Sequence, residues 1–110
     1  MAALARAGEE GCRIEGGGAR LHAESGGFYM EPAVVTAVTP SHDLFRNEVF
    51  GPVLAVTSFR DEADALRLAN ATDYGLAGGV WTTALGRAHR MIDGMKTGVI
   101  NVNGYGAVDV

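Results

Sequence analysis

Apolar and polar positions in the second half of the chain form alternating blocks, which predict strands and helices in turn. Val53–Phe59 is mostly apolar and rich in β-branched residues, which is typical of a buried strand. Asp61 then precedes a segment with one apolar face and is a candidate helix N-cap. The further predicted elements are a strand at Gly79–Thr83, a helix capped by Thr83 that carries Leu85, Ala88, Ile92 and Met95, and a strand at Val99–Asn103. The order β-α-β-α-β predicts parallel strands with right-handed crossovers, and therefore an α/β fold.

The first half of the chain is predicted to contain shorter elements. The alanine-rich start up to Gly8 favours a helix, and Cys12–Glu15 favours a short strand. Gly16–Gly18 is predicted to be a turn and not a dinucleotide-binding fingerprint, because Leu21 stands where that motif needs glycine or alanine. A mostly apolar strand follows at Phe28–Val38. Pro32 interrupts it, which indicates an edge position or a bulge.

Composition and charge narrow the classes of protein to consider. The chain has 110 residues, of which 47% are hydrophobic and 20% charged, an ordinary balance for one small globular domain. Its net charge of −4 argues against binding to nucleic acid or to an anionic membrane surface. No apolar run approaches the ~18 residues of a membrane span. The single cysteine excludes an internal disulfide and agrees with a cytoplasmic location.

The segment Asn47–Val53 is the strongest candidate for chemistry. Gly51-Pro52 predicts a rigid turn, since proline fixes its own φ and restricts the residue before it. The turn holds a carboxylate, Glu48, two residues from an aromatic ring, Phe50. That pairing suits a ligand with hydroxyl groups beside a flat heterocycle. The alternative is that Phe50 belongs to the core and Glu48 is simply solvated.

Four segments of the chain resemble motifs of the aldehyde dehydrogenase superfamily, in the family's order and at family-like separations. Glu48–Val53 resembles E-x-F-G-P-V, and Gly27–Val34 resembles G-(Y/F)-(Y/F)-x-x-P-(T/A)-(V/L). Ala69–Ala77 resembles A-N-x-T-x-Y-G-L-A, and Gly98–Asn103 resembles G-x-(I/V)-x-(I/V)-N. The resemblance implies that residues 1–110 are a parallel β-α-β-α-β portion of an aldehyde dehydrogenase-like catalytic domain, and we expect a piece of a larger enzyme.

The resemblance also implies roles for individual residues. Enzymes of this family oxidise aldehydes to carboxylic acids with NAD or NADP, and we expect the intact protein to be a cytoplasmic homo-oligomer. By the resemblance, Glu48 accepts hydrogen bonds from the nicotinamide ribose and Phe50 packs near the nicotinamide ring. Tyr105 and Val108, by family position, line the entrance for the aldehyde substrate. An alternative for these two is that they belong to a disordered chain end.

The sequence lacks a residue that matches the family's catalytic nucleophile. The resemblance places the nucleophilic cysteine, the general base and the phosphate-binding loop upstream of this sequence, and the context of Cys12 does not match. We predict that Cys12 is a small core residue, that Trp81 is also core, and that the isolated chain is inactive. His22, His42 and His89 show no metal-ligand spacing. A non-catalytic binding or assembly module with this fold is the alternative function.

Overall fold

A computed structural model describes residues 1–104, and the chain divides into two units, Met1–Ser58 and Phe59–Val110. The first unit contains helices α1 (Ala2–Glu9) and α2 (Asp43–Arg46), a short 3₁₀ helix (Ala23–Ser25), and strands β1 (Arg13–Gly16), β2 (Arg20–Leu21), β3 (Tyr29–Met30), β4 (Ala33–Thr36) and β5 (Val53–Ala55). The second unit contains helices α3 (Glu62–Ala69) and α4 (Leu85–Gly94) and strands β6 (Ala77–Val80) and β7 (Val99–Val102). No helix within residues 1–104 has the length and apolar character needed to cross a membrane.

A mixed three-stranded sheet organises the first unit. Strand β4 lies in the middle, antiparallel to β1 and parallel to β5, with Ala33 opposite Val53 and Val35 opposite Ala55. One face of β4 is buried: Val35 and Ala33 pack in a core with Leu4, Ala7, Cys12, Val38 and Leu44. Each large apolar side chain fully buried in this way stabilises the fold by about 1.5–3 kcal/mol. The helix α1 and the loop before α2 are therefore held to the same face of the sheet.

The glycine run between β1 and β2 forms the predicted turn. Gly17 and Gly18 have φ values of +75° and +85°, a region that only glycine adopts without strain. A Cβ on Gly17 would lie 1.7 Å from the Pro32 carbonyl oxygen, so the two segments touch through their backbones. Pro32 interrupts the chain between β3 and β4, as predicted, but the two strands belong to different sheets and β4 is a middle strand, so the predicted edge position is wrong for β4.

The second unit pairs β6 and β7 in parallel, with Ala77 opposite Val99 and Val80 opposite Val102. The helix α4 connects them, so the predicted β-α-β order is confirmed here. Asp61 caps α3 as expected, because its side chain accepts a hydrogen bond of 2.8 Å from the Asp64 amide. Asn70 follows α3 and joins it to the end of α4 by donating to the Gly94 carbonyl at 2.8 Å.

Several details of the sequence prediction are wrong. The strand predicted at Gly79–Thr83 is Ala77–Val80, and the single strand predicted at Phe28–Val38 is two short strands, β3 and β4, in different sheets. The strand after Pro52 is only Val53–Ala55, at the edge of the three-stranded sheet of the described residues, and its side chains are half-buried or exposed. Trp81 is 64% exposed in place of being core, since it lies just past the end of β6. Thr83 is not the cap of α4, which begins after Ala84 without a side-chain cap. The α/β class and the parallel pairing of β6 with β7 are confirmed, whereas the parallel pair β4–β5 is one that the sequence did not predict.

Candidate functional site

The candidate segment follows α2 directly and runs into β5. The helix ends at Arg46, and the C-cap residue Asn47 has an extended backbone. Two successive tight turns then occur: the Gly51 amide donates to the Val49 carbonyl at 2.8 Å, and the Val53 amide donates to the Gly51 carbonyl at 2.8 Å. The Pro52 carbonyl accepts a hydrogen bond of 2.8 Å from the Ala33 amide. The rigid turn predicted from Gly51-Pro52 is thus present and attached to β4.

The side chains of this segment alternate in direction. Val49 packs partly against the core, whereas Glu48 and Phe50 on either side of it are exposed. The Phe50 ring is 94% exposed, so the alternative that it belongs to the core of this unit is wrong. The Phe50 ring therefore lies at the surface of this unit, as does the ring of Phe28. The structure therefore presents a carboxylate and a flat apolar ring from one short, anchored segment.

A cavity of about 410 Å³ lies beside the Phe50 ring within the first unit. Its wall is mainly apolar and aromatic and includes Met1, Phe28, Tyr29, Met30, Phe50, Pro52 and the cationic Arg20. Phe28 is fully exposed, and the Arg20 guanidinium donates to the Gly27 carbonyl at 3.4 Å. Glu48 does not line this cavity. The cavity is open and apolar enough for a flat ring to enter beside Phe50.

The elements behind the segment carry polar contacts that sequence reasoning missed. The Asp43 carboxylate accepts hydrogen bonds from the Arg6 guanidinium at 2.8 Å and from the Asn47 side-chain amide at 2.6 Å. The Asp43 backbone amide donates to the Glu10 carboxylate at 3.0 Å. Arg6 and Asp43 are 37 residues apart, so no local pattern signals this pair. Only the spacing of Asp43 and Asn47, one helical turn apart, could have been noticed.

Cys12 is buried at the end of α1, in agreement with the prediction that it is a core residue. Its sulfur lies 3.1 Å from His42 Nδ1, and the Thr39 amide donates to the same nitrogen at 3.1 Å. Burial, and secondly the negative charge of Glu10, raise the pKa of the Cys12 thiol above its ordinary value of 9.0. Because the thiolate is the reactive form of cysteine, a raised pKa disfavours that form.

Two further sequence predictions concern metal ions and the substrate entrance. Across residues 1–104, no group of three or more histidine, cysteine, aspartate or glutamate side chains is arranged to hold a metal ion. Tyr105 and Val108, the residues predicted to line the substrate entrance, lie outside the described residues. Their place relative to Glu48 and Phe50 therefore stays a prediction.

The chain belongs to the aldehyde dehydrogenase family, whose family model matches residues 1–110. Among curated proteins, it is 46% identical over 92 residues to a betaine aldehyde dehydrogenase of Agrobacterium fabrum, covering 84% of this chain and 19% of that protein. It is 44% identical over 102 residues to an aldehyde dehydrogenase of Vibrio cholerae, covering 90% of this chain and 20% of that protein. The resemblance found in the four sequence motifs is thus confirmed.

Solved structures of the family share the same fold. The aldehyde dehydrogenase KauB from Pseudomonas aeruginosa superimposes with a TM-score of 0.94 and 39% identity, over 98% of this chain and 22% of that chain. A Staphylococcus aureus betaine aldehyde dehydrogenase, solved in complex with NAD+, gives a TM-score of 0.90 at 36% identity, over 96% of this chain and 21% of that chain. The chain therefore spans about a fifth of the length of these relatives.

Proposed function

We propose that this chain is part of an NAD(P)-dependent aldehyde dehydrogenase that oxidises an aldehyde to a carboxylic acid, and that Glu48 and Phe50 contact its cofactor. Membership of the family supports the reaction, and the relative from Staphylococcus aureus was solved with NAD+. The observation that carries the residue assignment is the exposure of the Phe50 ring, 94%, on an anchored segment next to the exposed Glu48.

The chemistry of these two side chains fits a nicotinamide riboside. An ionised carboxylate only accepts hydrogen bonds, through two oxygens, which matches the paired hydroxyl groups of a ribose. The Phe50 ring offers a flat apolar face to the nicotinamide. The cofactor supplies the hydride acceptor when it is bound. The contribution of this chain is to hold the ring in place, which lowers the barrier to hydride transfer.

The aldehyde site is proposed from the family positions of Tyr105 and Val108. The proposal agrees with the rule that ligands of parallel sheets bind beyond the carboxyl ends of the strands, since these residues follow β7 in the sequence. We assign Tyr105 and Val108 to the wall of the aldehyde entrance. Glu48 precedes β5 and does not follow this rule, so its assignment depends on the family resemblance and on its exposure.

The experiment that tests the cofactor contact uses the full-length protein that carries this segment. Glu48→Gln keeps the size of the side chain and removes its charge. Hydrogen bonds to charged groups contribute about 1.5–3 kcal/mol, so we expect single-turnover hydride transfer to fall by about one to two orders of magnitude. Glu24→Gln, at an exposed glutamate of the 3₁₀ helix, is the matched control. Equal rates for Glu48→Gln and the wild-type protein would contradict the ribose contact.

The nucleophile is proposed to come from outside this sequence, which makes the 110-residue chain inactive alone. The buried Cys12 thiol with its raised pKa supports this. Aldehyde-dependent formation of NADH by the purified 110-residue chain, abolished by Cys12→Ser, would contradict it.

The absence of a suitable nucleophile also supports the alternative, a non-catalytic binding or assembly module with the same fold. A coding frame that continues upstream into a cysteine-bearing segment would favour the enzyme, and NAD+ binding without turnover by the full natural protein would favour the module. We further propose a homo-oligomer in the cytoplasm. The exposed apolar side chains support the association, and the single cysteine agrees with that compartment.

A further inference from the structure

The short helix α2 is held in place by contacts to α1. A helix of four residues is not stable alone, because nucleation costs more than its few hydrogen bonds return. Leu44 is buried in the core and supplies an apolar anchor. The polar anchor is Asp43, which is bonded to Arg6 through its carboxylate and to Glu10 through its backbone amide. The Asp43 side chain is 25% exposed and the Arg6 side chain 55%, so the ion pair itself lies at the surface and contributes little beyond its geometry.

Asp43 also holds the residue directly before Glu48. The Asn47 side-chain amide donates to the Asp43 carboxylate at 2.6 Å, and the Asn47 backbone amide donates to the Asp43 carbonyl at 2.9 Å. Both nitrogen atoms of Asn47 are therefore bonded to one residue. On the other side of Glu48, Val49 packs against the core. Glu48 thus lies between two fixed neighbours, and one of them depends on Asp43.

We propose that Asp43 is a positioning residue for the cofactor: through Asn47 it orients Glu48 towards the nicotinamide ribose. This inference rests on the proposed function of Glu48. Asp43 does not contact the cofactor in this scheme. Its effect is to restrict the conformations of the Glu48 backbone before the cofactor binds, so that less freedom is lost on binding. The contacts of Asp43 to Arg6 and Glu10 fix α2 against α1, which packs in the core, and so fix the start of the segment that carries Glu48.

The test uses the full-length protein that carries this segment, with NAD+ as the titrated ligand. Asn47→Ala, at an exposed position, removes only the hydrogen bond from the Asn47 side-chain amide to Asp43. Asp43→Ala removes the side-chain contacts to both Arg6 and Asn47. A lost hydrogen bond of this kind predicts an NAD+ dissociation constant raised about three- to tenfold in each variant. The KM for the aldehyde is expected to stay unchanged. Asp43→Asn keeps one acceptor oxygen and is expected to lose less affinity than Asp43→Ala. Glu24→Ala is the control and is expected to bind NAD+ like the wild-type protein.

The role of Asp43 and the role of Glu48 are separated by combining variants. In Glu48→Gln, the addition of Asn47→Ala is expected to have little further effect on NAD+ affinity, since the group that Asn47 orients is already impaired. Weakened NAD+ binding in Glu48→Gln but not in Asn47→Ala or Asp43→Ala would overturn the inference and leave the proposed function standing. Additive losses in the double variant would also overturn the inference. If Glu48→Gln itself binds NAD+ normally, the ribose contact fails and the inference fails with it.

Should Asp43→Ala prevent folding, as judged by its thermal unfolding, Asn47→Ala decides the outcome alone. An unchanged NAD+ dissociation constant in a folded Asn47→Ala protein overturns the inference, and a raised constant with an unchanged aldehyde KM supports it.

Discussion

The side-chain amide of Asn103 is hydrogen-bonded to both backbone groups of Thr82. Its nitrogen donates to the Thr82 carbonyl at 2.9 Å, and its oxygen accepts from the Thr82 amide at 2.8 Å. Asn103 adopts a left-handed conformation with φ of 52°, and its own amide donates to the Val80 carbonyl at 2.9 Å. The side chain and the backbone amide of Asn103 therefore continue the hydrogen bonding between β6 and β7 beyond the last paired residues, at the point where the chain leaves β7.

We expect Asn103→Ala to lower the free energy of unfolding of the 110-residue chain by about 2–3 kcal/mol, because two hydrogen bonds are lost while the strained φ remains. Asn103→Gly loses the same two bonds but relieves the strain. It should therefore be less destabilised than Asn103→Ala by about 1 kcal/mol. Urea denaturation of both variants measures the difference. Equal stability of Asn103→Ala and the wild-type chain would show that the amide contacts do not hold β6 and β7 together.

The second prediction concerns the close approach of Gly17 to Pro32. Gly11 and Gly17 both have positive φ, +89° and +75°, but a Cβ on Gly11 would meet no atom within 4 Å. Gly11→Ala is thus expected to cost only the conformational strain, about 1–2 kcal/mol. Gly17→Ala must in addition displace the Pro32 carbonyl, and we expect it to cost at least about 2 kcal/mol more. Thermal unfolding monitored by circular dichroism compares them, and equal melting temperatures would argue against the contact.

The third prediction concerns the acid stability of the second unit. Hydrogen bonds from Arg90, and then from Arg87, lower the pKa of Glu62 from 4.5 to about 2. Because the folded-state pKa is depressed, this stabilisation is fully present above pH 4.5 and is lost as the pH falls towards 2. Arg60 and Arg67 likewise hold the pKa of Asp64 well below its usual range.

The melting temperature of the wild-type chain should consequently fall between pH 4.5 and pH 2, with a smaller fall in Glu62→Gln. Arg90→Ala removes the strongest partner of Glu62, so its melting temperature should also fall less between pH 4.5 and pH 2 than that of the wild-type chain. Parallel profiles for the wild-type chain and Glu62→Gln would show that the arginines do not stabilise the ionised carboxylate.

The fourth prediction is that the 110-residue chain associates with itself. Val34 and Leu54 are paired across β4 and β5 and lie on the sheet face opposite the core, where Leu54 is 60% exposed. An apolar sheet face with an open edge strand favours association. Sedimentation equilibrium should give masses above 11.5 kDa that rise with concentration.

Leu54→Lys should shift the sedimentation result of the preceding experiment towards the monomer. Ala5→Lys, the control, puts the same charge on the exposed side of α1 and should leave the measured mass as in the wild-type chain. A constant monomer mass for the wild-type chain, with cooperative unfolding, would contradict the prediction.

Features that depend on a few consecutive residues were predictable from the sequence. The cap of α3 by Asp61, the glycine turn before β2, the interruption at Pro32 and the turn at Gly51-Pro52 were predicted correctly, since the dihedral preferences and short side chains of those residues act locally. The parallel pair β6–β7 also followed from the order of elements, whereas the pair β4–β5 did not. The identity of Glu48 and Phe50 as candidates came from a hexapeptide motif and needed no tertiary information.

Tertiary structure alone decided which distant residues meet and which side chains stay exposed. Arg6 reaches Asp43 across 37 residues of sequence, and Asn103 reaches Thr82 across 21, contacts that no periodicity encodes. Phe50 and Trp81 have the apolar character of core residues, yet both are exposed. Apolar character favours burial, but the packing of remote segments decides which side chains are covered. In this chain Val49 packs against the core and Phe50 is exposed.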